Sequence, residues 1–212
     1  YGNKSIEKIN KYSIEIVNFL LQQKCKAIII ACNSASSIAY QKIRKKVKNN
    51  VLIFDVINPV IDYVTTQKHI QHIGVIGTNA TISSSIYKTH INSIRKDIKV
   101  TSLATPLLAN LIEEDNKELY KRGIIESYLK NEKLKNIDSL ILGCTHYPLI
   151  EKQISNFYNQ KVEIISAIKY IGNNVKKELE NYNLLNKGSE KHKHHFYVSN
   201  HTTHFQKKTK LF

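Results

Sequence analysis

Apolar and polar positions along this chain follow two periods in turn. Over residues 5–24, Ile6, Ile9, Ile16, Val17, Leu20 and Leu21 recur at helical spacing with Glu and Lys between them, which predicts an amphipathic helix. Ala27-Ile28-Ile29-Ile30-Ala31 follows as a short apolar run, the pattern of a strand buried on both faces. Asn33-Ser34-Ala35-Ser36-Ser37 then predicts a helix start, because Asn and Ser side chains take up orphan N–H groups. Val51-Leu52-Ile53-Phe54-Asp55-Val56 reads as a second buried strand.

The same alternation then repeats. Asn58-Pro59 breaks the chain ahead of a helical stretch through Tyr63, and His72-Ile73-Gly74-Val75-Ile76-Gly77-Thr78 predicts a strand closed by a Gly/Thr turn. Residues 81–94 predict one helix, 99–103 a strand, and 107–112 a lead into a charged helix over 115–130. Ser139-Leu140-Ile141-Leu142-Gly143 predicts a strand ending at Cys144-Thr145-His146. A helix over 151–158, a strand over 162–165, a helix over 168–182 and a short strand at Phe196-Tyr197-Val198 complete the pattern. Short apolar strands alternating with helices predict an α/β fold of mainly parallel sheets flanked by helices. The strand–Cys–helix segments around Cys32 and Cys144 occupy equivalent places in two similar halves.

Composition narrows the function classes. The 212 residues are 42% hydrophobic, enough for one large or two small cores. No run reaches the roughly 18–20 apolar residues of a membrane span, and Gln22, Gln23 and Lys24 break the first apolar cluster, so a soluble, cytoplasmic protein without a membrane partner is expected. The formal charge of +15 invites nucleic acid as a partner, yet only three of the 32 basic residues are arginine. Phosphate and base recognition favours the bidentate guanidinium, so the scattered lysines are read as solvated surface. There is no methionine and the chain begins Tyr1-Gly2-Asn3, which implies a fragment, a processed form or a truncation.

Three cysteines without an export signal point to reactive or buried thiols rather than disulfides. Cys25, between Lys24 and Lys26, is read as structural. Cys32 and Cys144 each end a buried strand and precede a helix, where open α/β sheets place ligands and where helix N–H groups favour a thiolate. His146 beside Cys144 adds an imidazole that can hold the thiol partly ionised. A zinc site using Cys32, Cys144 and His146, a cysteine-protease dyad, and weak metal binding by His192, His194 and His195 stay open as alternatives.

Ala31-Cys32-Asn33-Ser34-Ala35-Ser36 and Leu142-Gly143-Cys144-Thr145-His146-Tyr147-Pro148-Leu149 resemble the two signature segments of the glutamate racemases, within the aspartate/glutamate racemase family. Tyr1-Gly2-Asn3-Lys4-Ser5 and Gly74-Val75-Ile76-Gly77-Thr78-Asn79-Ala80-Thr81 resemble two further segments of that family. Related aspartate racemases carry an acidic residue where His146 stands. The resemblance implies racemisation of glutamate without a cofactor or metal, supplying D-glutamate for peptidoglycan. Cys32 would handle the proton on the D face and Cys144 that on the L face, with His146 and Glu113 (or Glu114) assisting Cys144. Tyr1, Gly2, Asn33, Ser34, Thr78, Thr81, Thr145 and His146 would bind substrate. Two domains are implied, residues 1–57 with 167–212 and residues 58–166, with the active site in the cleft between them. A homodimer is compatible with this reading.

Two departures from the family pattern stand out. Ser34 takes the place of the usual Thr, keeping the hydroxyl. The family's opening strand, ending in an Asp-Ser pair that binds substrate and assists the first cysteine, has no counterpart before Tyr1, so a weakened first site is expected.

Overall fold

The computed structural model describes residues 1–48, 51–114, 118–186, 188, 193–200 and 202. Helix α1 (Ile6–Gln22) starts at Ser5, whose hydroxyl accepts the Lys8 N–H at 3.3 Å. Its buried stripe carries Ile9, Ser13 and Val17, one turn apart. Strand β1 (Ala27–Ile30), helix α2 (Asn33–Val47) and strand β2 (Leu52–Asp55) follow, β1 and β2 running parallel with Ala27 opposite Leu52. Ala35, Ala39, Ile43 and Val47 of α2 pack with Val17, Ile28 and Ile30 into one core, against which Cys25 also rests. The expectation that β1 is buried on both faces is not met. Among the described residues it pairs with β2 alone, and Ile29 is 47% exposed.

The second unit opens with α3 (Asn58–Thr66), where Pro59 sits in the first turn and forfeits no intrahelical hydrogen bond. Strands β3 (His72–Gly77), β4 (Lys99–Ala104), β5 (Ser139–Gly143) and β6 (Glu163–Ile165) form one parallel sheet in the order β4-β3-β5-β6. Period-two geometry sends Ile73, Val75 and Ile141 to one face, where they meet Val60, Val64 and Ile91. Ile76, Leu140 and Leu142 go to the other, against Leu108, Leu129 and Ile154. Both faces are buried, which explains why these strands read as continuous apolar runs.

The helix expected over 81–94 is two helices, α4 (Asn79–Ser83) and α5 (Ile86–Ile94). Ser85 takes a left-handed φ of 54°, and the Ser84 hydroxyl donates to the Thr81 carbonyl and accepts the Ile86 N–H. Serine side chains here compete for the backbone groups that a continuous helix would use. Helices α6 (Leu108–Glu113), α7 (Glu118–Leu129), α8 (Glu151–Phe157) and α9 (Ile168–Asn181) complete the unit and the passage beyond it. A 3-10 turn over Tyr147–Ile150 precedes α8. In α9, Tyr170 stacks on Tyr63 of α3, while Asn174 and Glu178 face a groove beside β2.

The strand expected at Phe196-Tyr197-Val198 does not form. These residues have no ladder partner among the described residues: Phe196 is 90% exposed and Tyr197 packs edge-on against Phe19 of α1. No described helix is long and apolar enough to cross a membrane.

Candidate active site

Strands β3 and β5 are neighbours whose onward connections leave in opposite directions, β3 towards β4 and β5 towards β6. A reversal of this kind opens a crevice beyond the carboxyl ends of the two strands. Gly77 and Gly143 end the strands in register, so Thr78 and Cys144 emerge side by side at the crevice. Gly143 permits this spacing, because a Cβ there would stand 2.7 Å from the Ile76 carbonyl oxygen.

The N-terminus of α2, from the first unit, faces the same crevice. Cys32 is the residue that caps α2, in extended conformation, and its carbonyl accepts the Ser36 N–H at 2.8 Å. Its side chain makes no capping hydrogen bond, which leaves the half-buried thiol beside the unpaired N–H groups of the first turn.

A cavity of about 500 Å3 lies between the two units. Tyr1, Gly2, Cys32, Asn33 and Ser34 line it from one side, and Thr78, Glu113, Cys144, Thr145 and His146 from the other. Thr81 lies just beneath, 1% exposed, its hydroxyl 3.1 Å from that of Thr78 and 3.5 Å from that of Ser34. The Ser34 and Thr78 hydroxyls are themselves 2.8 Å apart, so this polar cluster ties α2 to the loop after β3. Gly2 is held against that loop: its carbonyl accepts the Ala80 N–H, and a Cβ on it would come within 2.6 Å of the Thr78 side chain.

On the Cys144 side, the sulfur lies 3.7 Å from Nδ1 of His146, and Nε2 of the same ring lies 2.7 Å from Oε1 of Glu113. A carboxylate at Nε2 favours the tautomer with its proton there, which turns the Nδ1 lone pair towards the thiol. The expectation of a readily ionised Cys144 is corrected. Burial pushes its thiol up to about 11, nearby Cys32 and Glu113 add to the rise, and the backbone N–H of His146 opposes it. The physical reason is local. Cys144 is 7% exposed, and it is followed by a four-residue 3-10 turn rather than by a developed helix N-terminus.

Two residues beside the site, Ala109 and Asn110, carried no signature in the sequence. Asn110 and Ala109 of α6 line the cavity with Glu113, and their spacing of three and four residues from it is the signal that could have found them. Lys4, from the Tyr-Gly-Asn-Lys-Ser segment, lines it too and brings a positive charge to it. The buried Tyr147 hydroxyl sits 2.7 Å from the Thr105 hydroxyl, joining the Cys-Thr-His-Tyr-Pro turn to the segment that leads into α6. The Tyr87 hydroxyl of α5 donates to Asn33 Oδ1 at 2.7 Å. No group of three His, Cys, Asp or Glu side chains able to hold a metal occurs among the described residues, and His192 lies outside them.

The model of the Asp/Glu/hydantoin racemase family matches residues 3–171. Among curated proteins, the glutamate racemase of Geobacter metallireducens is 33% identical over 202 residues, covering 94% of this chain and 73% of its own length. That of a Hydrogenobaculum species is 39% identical over 185 residues, covering 84% and 69%. The crystal structure of glutamate racemase from Francisella tularensis in complex with D-glutamate superposes with a TM-score of 0.90 at 32% identity, over 100% of this chain and 78% of that one. With both strand-end cysteines lining one cavity of the same fold, the chain belongs to the Asp/Glu/hydantoin racemase family.

Proposed function

We propose that this chain interconverts L- and D-glutamate by a two-base mechanism that needs no cofactor. Cys32 acts on the Cα proton of D-glutamate and Cys144 on that of L-glutamate. The observation that carries the reading is that the two thiols line one cavity from different units, each beyond the carboxyl end of a parallel strand. Glutamate as substrate is supported by the names of the curated relatives and by the D-glutamate complex of the Francisella enzyme.

Inversion at Cα needs a proton removed from one face and another delivered to the opposite face. Starting from D-glutamate, the Cys32 thiolate takes the Cα proton: the C–H bond breaks, an S–H bond forms, and the electron pair delocalises into the α-carboxylate. The Cys144 thiol, which burial keeps protonated, delivers its proton to the other face. The enzyme is left with a proton on Cys32 and a thiolate at Cys144, ready for the reverse reaction. When L-glutamate instead meets the resting enzyme, Cys144 is still protonated. His146 Nδ1 then accepts that proton so that the thiolate can take the one on Cα, and Glu113 stabilises the imidazolium that results. The first-turn N–H groups of α2, the Ser34 and Thr78 hydroxyls and Lys4 supply donors and positive charge for the carboxylates. In the cell, the product D-glutamate would serve cytoplasmic assembly of peptidoglycan precursors.

The test is direct. Incubation with each enantiomer of glutamate, followed by loss of optical activity, should show turnover, with aspartate turned over far more slowly. Turnover of aspartate equal to that of glutamate would overturn the substrate assignment.

A further inference from the structure

Tyr87 stands on α5 in the second unit, 3% exposed, and Asn33 opens α2 in the first, 2% exposed. The Tyr87 O–H donates to Asn33 Oδ1 at 2.7 Å across the junction of the units. Asn33 Nδ2 is buried and has no hydrogen-bond partner, so the bond from Tyr87 is the one that fixes this amide among the described residues. Burial pushes the Tyr87 phenol well above its ordinary range, with the charges of Asp55 and Cys144 adding to the rise. The hydroxyl therefore stays a donor at every pH at which the protein works.

Asn33 adjoins Cys32 in the chain, so whatever fixes the Asn33 side chain fixes the peptide that carries the thiol. We propose that Tyr87 is a positioning residue for Cys32: by holding Asn33, it sets the Cys32 thiol at its reacting distance from a substrate held between the two units. This rests on the assignment of Cys32 and Cys144 to opposite faces of Cα. A misplacement of about 1 Å at a reacting group can cost on the order of a hundredfold in rate. Loss of the one hydroxyl is expected to cost kcat/KM about tenfold, at the low end of that scale.

The test compares Tyr87→Phe, Asn33→Ala and the double variant of the full chain, with glutamate deuterated at Cα. In Tyr87→Phe, proton transfer at Cys32 becomes more rate-limiting, so the isotope effect on kcat/KM rises for deuterated D-glutamate and falls for deuterated L-glutamate. An isotope effect is a ratio and does not change when a fraction of the protein is merely unfolded. The double variant should be no slower than the slower single one. Unchanged isotope effects, or losses that multiply in the double variant, overturn the proposal. If Cys32→Ala still removes the proton of D-glutamate at the wild-type rate, the assignment of the cysteines fails, and the role of Tyr87 fails with it.

Discussion

Nδ1 of His146 lies 3.7 Å from the Cys144 sulfur, in a ring whose other nitrogen is anchored 2.7 Å from Glu113. The imidazole is thus held between a buried thiol and a half-exposed carboxylate. That arrangement gives it one defined tautomer and one defined destination for a proton.

Glu113→Gln keeps the shape of this contact and removes its charge. The imidazolium formed when Cys144 gives up its proton then loses its counter-charge. Steady-state assays in both directions should show a fall in kcat/KM of roughly tenfold to a hundredfold, the range for losing such a supporting carboxylate. Wild-type rates in Glu113→Gln would remove Glu113 from the relay.

The raised Cys144 thiol has a readable pH dependence. Only the thiolate reacts with an alkylating agent, so in the ligand-free protein the rate at Cys144 should climb with pH up to about 11 instead of levelling near the ordinary thiol value of 9.0. The sign extends to stability. The unfolded thiol ionises near 9.0 and the folded one near 11, so the contribution is fully present below pH 9 and is lost as pH rises from there to 11. Peptide-resolved mass spectrometry of iodoacetamide labelling across pH 7–11, a range about as wide as the shift requires, measures the first effect. Labelling that saturates below pH 9 would contradict it.

Gly143→Ala places a methyl 2.7 Å from the Ile76 carbonyl oxygen, a backbone atom in the neighbouring strand that cannot rotate away. The β3–β5 pairing must open slightly, at a cost of about 1–3 kcal/mol. Urea unfolding should shift its midpoint down accordingly. Cys144 moves with that strand end, so activity should fall by more than the folded fraction accounts for.

Much of this was legible because parallel strands buried on both faces write themselves as apolar runs. β3, β5 and β6 fall within a residue or two of their expected places. The Ser83-Ser84-Ser85 break was not legible, since helical periodicity at Ile82, Ile86 and Ile91 passes straight through it. The ionisation of Cys144 was misjudged for a related reason. Sequence places a thiol beside a histidine, but whether burial or the imidazole prevails depends on packing around Tyr147 and the cavity wall. Tyr87 could not be found at all. Its partner lies 54 residues away, and no spacing rule links α5 to the first turn of α2.

The central claim is that Cys32 and Cys144 each serve one face of the same carbon. Cα exchange in deuterium oxide, followed separately from L- and D-glutamate in Cys32→Ala and Cys144→Ala, tests it most directly. Cys32→Ala should lose proton removal from D-glutamate and Cys144→Ala that from L-glutamate, with racemisation abolished in both. Exchange at wild-type rates on both faces in either variant would contradict the account.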